Sequence, residues 1–63
     1  MKKKELKNLA VKLAGYERII QTSDNKEEVR KAEEEIMKVT RKIESFEDLM
    51  ELDELIMKLL EKN

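Results

Sequence analysis

Apolar residues recur at helical spacing in three stretches of the chain. Leu6, Leu9, Leu13, Tyr16 and Ile20 step by three and four, and so do Val29, Ala32, Ile36, Val39, Ile43 and Phe46. The third stretch carries two adjoining rows: Leu49, Leu52, Ile56 and Leu59 in one, and Phe46, Met50, Met57 and Leu60 in the other. A row with this period lies along one side of an α-helix, so the pattern predicts three amphipathic helices. The residues that fill the gaps are mostly Glu, Lys, Arg and Ala, which lose little freedom in a helix.

The breaks follow from the polar punctuation. Gln21-Thr22-Ser23-Asp24-Asn25 is the one cluster of turn-type residues. Asp24 followed by Glu27 reads as an N-cap with its capping-box partner, and Glu27 and Glu28 suit the positive end of a new helix. Ser45 before Phe46-Glu47-Asp48 offers a second cap, with Lys58 and Lys62 near the far end. The expected elements are helices at about 4–20, 25–44 and 46–61 in one domain over residues 1–63, an all-α three-helix bundle running up-down-up. A competing reading takes the second helix unbroken from residue 25 to 61, because Val39, Ile43, Phe46, Met50, Asp53, Met57 and Leu60 keep heptad spacing across Ser45. That would give a helical hairpin whose long second helix dimerises. Three helices of nearly equal length favour the bundle.

The three apolar faces differ in width. At 100° per residue, the second row spans roughly 80° of arc, while the third helix is apolar over roughly 220°. A helix packed on two neighbours needs about half of the latter. The surplus predicts a docking face on the third helix, with Leu52, Leu55, Ile56 and Leu59 as the contact residues. A chain this small buries only about 60% of its unfolded surface, so a second copy would stabilise both. The expected partner is therefore a second copy in a homo-oligomer, most simply a two-fold dimer, or another helical protein. Met50 and Met57, in one row, suit an adaptable binding surface. Asp53 interrupts the third apolar arc and Glu17 the first. A carboxylate removed from water needs a partner, and a buried Asp53, facing Tyr16, Lys12 or Arg41, would act as a polar lock on register or oligomer state. An edge position reaching solvent is the simpler alternative for both.

Composition narrows the chemistry. The 63 residues include no His, Cys, Pro or Trp, and a single glycine, Gly15. That excludes disulfides, Cys/His zinc sites and imidazole-based catalysis, so no enzyme and no cofactor or metal is expected. The hydroxyls of Ser23 and Ser45 are better used at turns and caps. The longest apolar run is three residues, too short for a membrane span or a signal peptide, and a cytoplasmic protein is expected.

The net charge of −1 conceals a gradient. Residues 1–20 carry six Lys/Arg against two Glu, whereas residues 47–63 carry two Lys against six Asp/Glu. Lys2, Lys3, Lys4 and Lys7 are the candidate phosphate contacts of an RNA- or ribosome-associated role. The plainer explanation sets the basic first helix beside the acidic third, with these lysines near Glu47, Asp48 and Glu51. No stacking aromatics accompany the lysines, and the acidic last helix would repel a phosphate backbone. The function expected is a non-enzymatic helical interaction module, a small adaptor, inhibitor or assembly subunit.

Overall fold

The computed structural model describes residues 2–61. They form three α-helices: α1 Lys3–Thr22, α2 Lys26–Lys42 and α3 Phe46–Glu61. The chain is a small three-helix bundle, and the unbroken helix from 25 to 61 does not form. Residues 43–45 leave the helical path, and Ser45 caps α3: its Oγ accepts from the Asp48 N–H at 3.4 Å and its carbonyl from the Leu49 N–H at 3.1 Å.

Several boundaries shift by one or two residues from the sequence reading, α2 ending at Lys42 and not at about 44. Helix α1 runs on through Gln21 and Thr22, because the Thr22 hydroxyl donates to the Arg18 carbonyl at 2.7 Å and the Ser23 N–H to Ile19 at 2.8 Å. The cap of α2 is Asn25, one residue later than the expected Asp24. Asn25 Oδ1 accepts from the Glu27 and Glu28 N–H groups at 3.0 and 3.4 Å. Ser23 sets this register: its Oγ accepts from the Asn25 N–H at 3.1 Å and donates to the Glu28 carboxylate at 3.4 Å. The box is thus closed by Ser23 and Glu28 around Asn25.

Helix α2 ends at Lys42 because Ile43 turns extended and places its side chain in the core. That core joins Leu6, Ala10 and Leu13 of α1 to Ile43 and Leu52. Leu9, Tyr16, Ile36, Val39, Leu49, Leu55, Ile56 and Leu59 pack around it. Ala10, Ala14 and Ala32 are also buried, and their small side chains let the helix backbones approach closely.

Helix α1 is the centre of the assembly. It packs against both α2 and α3, while α2 and α3 barely touch each other. The cause lies in the width of the α2 face: its narrow seam is consumed by α1, which leaves no apolar sector for α3. The molecule is correspondingly flat, 34 × 26 × 15 Å in its Cα extents. On the exposed side of α2, Glu34 pairs with Arg30 at 3.9 Å and Lys38 with Glu35 at 3.7 Å. Such solvated pairs add about 0.3–0.5 kcal/mol at most. No helix among the described residues is long and apolar enough to cross a membrane.

Candidate protein-docking groove

The loose α2–α3 pairing leaves a groove of about 350 Å³. Leu13 and Glu17 of α1 form its floor. Ile36 and Thr40 form the α2 wall, and Leu49, Met50, Leu52, Asp53 and Ile56 the α3 wall. The Thr40 hydroxyl donates to the Met37 carbonyl at 3.1 Å, so its hydrogen is used within α2. The lining is therefore mainly apolar, with two carboxylates and, among the described residues, neither lysine nor arginine.

The surplus apolar surface of α3 exists, but only in part where the sequence suggested: Leu52 and Ile56 line the groove, whereas Leu55 and Leu59 lie in the crevices against α1. Leu52 is 2% exposed and belongs to the chain's own core. Leu55, Ile56 and Leu59 are half-buried and pack onto that core. The side chains that face outward are Phe46, Met50 and Met57, at 74, 54 and 55% exposure. They form the second row of α3, turned away from α1 and continuous with the groove wall at Met50. A helical wheel gives the width of an apolar arc but not which sector the neighbour takes. Here α1 takes the Leu52–Leu59 row.

Asp53 is exposed on the groove wall and is not a buried lock. No hydrogen bond or ion pair joins it to Tyr16, Lys12 or Arg41 among the described residues. Glu17 is half-buried on the floor below it. The two acidic interruptions, read separately in the sequence, thus line one groove. Sequence spacing alone could not pair them, because they sit on different helices whose relative placement is tertiary.

Lys2, Lys3, Lys4 and Lys7 are all exposed. Lys7 shares a crevice of about 130 Å³ with Lys58, beside Ala10, Leu55 and Leu59. A third crevice, lined by Val11, Ala14, Gly15, Arg18 and Leu59, lies on the other side of Leu59, whose carbonyl accepts from Arg18 Nη2 at 3.4 Å. Among the described residues no group of three or more acidic side chains is placed to hold a metal ion.

Comparison with protein-family models, with characterised proteins and with solved structures found no match.

Proposed function

We propose that this chain is a non-enzymatic protein–protein interaction module that receives a helix along the α2–α3 groove and the adjoining Phe46–Met50–Met57 row. One observation carries the reading. The core is already closed by α1, yet an apolar groove remains open, and of the five large apolar side chains exposed among the described residues three, Phe46, Met50 and Met57, stand on α3. Contiguous apolar surface of this kind is costly to leave exposed and marks interaction sites. Methionine at the rim suits the role, since its unbranched, polarisable side chain adapts to different partners. The groove's shape fits a helix better than a small molecule, being a trough open along one side and not an enclosed pocket.

Site-specific photocrosslinking tests the assignment. A photoreactive residue in place of Met57 should yield an adduct with a protein, either a second copy or another chain. The same residue at Asn8, exposed on α1, should yield none. Equal labelling from both positions, or none from Met57, would contradict the reading.

A further inference from the structure

Resting on the groove assignment above, we infer that the occupant is a cationic amphipathic helix, and that Glu17 and Asp53 are the groups that select it. The groove is mainly apolar, and among the described residues its only charged lining residues are these two carboxylates, contributed by α1 and α3. More acid stands along the same rims. Glu33 lies one turn from Ile36 and two from Thr40 on α2, and Glu54 and Glu61 lie one turn beyond Met50 and Met57 on α3. All three are exposed. On α2 Arg30 lies one turn before Glu33 and Arg41 follows Thr40; both are exposed and neither lines the groove. Elsewhere Lys7, Lys58 and Arg18 line the two crevices where α3 meets α1, and Lys38 and Arg41 line a crevice on α2 with Glu34 and Met37, outside the groove. A net charge of −1 therefore hides an acidic, methionine-rimmed trough.

Such a trough matches a helix whose apolar side chains fill the channel while Lys or Arg on its flanks meet the rims. A second copy fits less well. Under two-fold symmetry the same surface serves on both sides, so the acidic groove of one chain would meet that of the other, with no cation in the lining to pair Glu17 or Asp53. The basic face of α1, with Lys4, Lys7 and Arg18, offers Val11 as its one large apolar anchor. A groove that buries Leu13, Ile36 and Leu49 in its lining asks for several anchors at i, i+3/i+4 and i+7.

The test uses the intact chain and three fluorescent synthetic peptides the length of α3. One carries an apolar face flanked by Lys and Arg, one the same apolar face flanked by Glu, and one the cationic composition scrambled to destroy the face. Anisotropy titration should show the cationic amphipath binding at least about tenfold tighter than the anionic one, with the gap shrinking as salt is raised. The scrambled peptide should bind weakly or not at all. The Glu17→Gln/Asp53→Asn double variant, with helicity checked by circular dichroism, should weaken cationic binding about three- to tenfold and leave the anionic peptide unaffected or improved. Equal binding of both amphipaths would overturn the charge selection while leaving the groove assignment standing. Equal binding of the scrambled peptide would reduce the effect to bulk attraction and overturn the inference. Absence of binding with a doubled native mass would give the groove to a second copy. Absence of binding with a single-chain mass would overturn the groove assignment itself.

Discussion

Leu52 and Met50 are two residues apart on α3, yet the structure gives them opposite energetic roles. Leu52 is 2% exposed and sits in one core with Leu6, Ala10, Leu13 and Ile43. Truncating a leucine in such a place costs about 2–5 kcal/mol, through lost transfer free energy and the cavity left behind. A chain of this length has roughly 3–9 kcal/mol in total. Leu52→Ala therefore removes about a fifth or more of the stability, or unfolds the protein outright. Met50 is 54% exposed. Complete burial of a methionine side chain contributes about 1.5–3 kcal/mol, so half of that is at stake, offset in part by the better helix propensity of alanine. Met50→Ala should cost less than about 1 kcal/mol. Urea unfolding followed by circular dichroism separates the two. With a slope near 1 kcal/mol per molar for a chain this small, Leu52→Ala should lower the midpoint by about 2 M or more and Met50→Ala by less than about 1 M. The Met50→Ala shift should also be the same at low and high protein concentration. Equal losses at the two positions would refute the assignment of core and groove. A Met50→Ala loss that grows with protein concentration would place Met50 in an interface between copies.

Three further outcomes follow from local structure. Gly15 is exposed in mid-helix, and a Cβ built there meets nothing within 4 Å. Gly15→Ala should add about 1 kcal/mol by helix propensity alone, or roughly 4–8 °C in Tm by calorimetry, and a loss of stability would mean that the backbone there is held by something else. Asn25→Ala removes the acceptor for the Glu27 and Glu28 N–H groups and should cost about 1 kcal/mol in urea unfolding, whereas Asp24→Ala should cost less. Helix α1 begins with lysines at its positive end, and Lys2 makes no side-chain cap. Lys2→Asp should stabilise the chain by about 0.5–1 kcal/mol, less at high salt, and an unchanged Tm at low salt would contradict the helix start assigned here.

The helices were legible in the sequence because their apolar rows are long and their punctuation local. Ser45 could be picked as a cap although the heptad spacing ran straight through it. Asn25 could not be separated from Asp24, since both are good caps and the choice falls to Ser23, whose hydroxyl bonds decide the register. The groove was legible in part. The excess apolar arc of α3 and the methionine row point to it, and of the expected contact residues Leu52 and Ile56 line it, whereas Leu55 and Leu59 lie in the crevices against α1. Which sector α1 covers depends on Ala10 and Ala14 letting α3 approach there and on the narrow seam of α2 having nothing left to offer. Those are facts of packing across helices, which spacing within one helix does not carry. The same holds for Glu17 and Asp53.

All of this depends on Met50 and Met57 remaining in water when the chain is folded and alone. Methyl NMR with a soluble paramagnetic agent measures that directly. The account predicts strong broadening of the Met50 and Met57 methyls and protection of Leu6, Leu13 and Leu52. Met50 and Met57 methyls as protected as those of Leu52 in a dilute, single-chain sample would show that the groove is covered by the chain itself and would contradict the account.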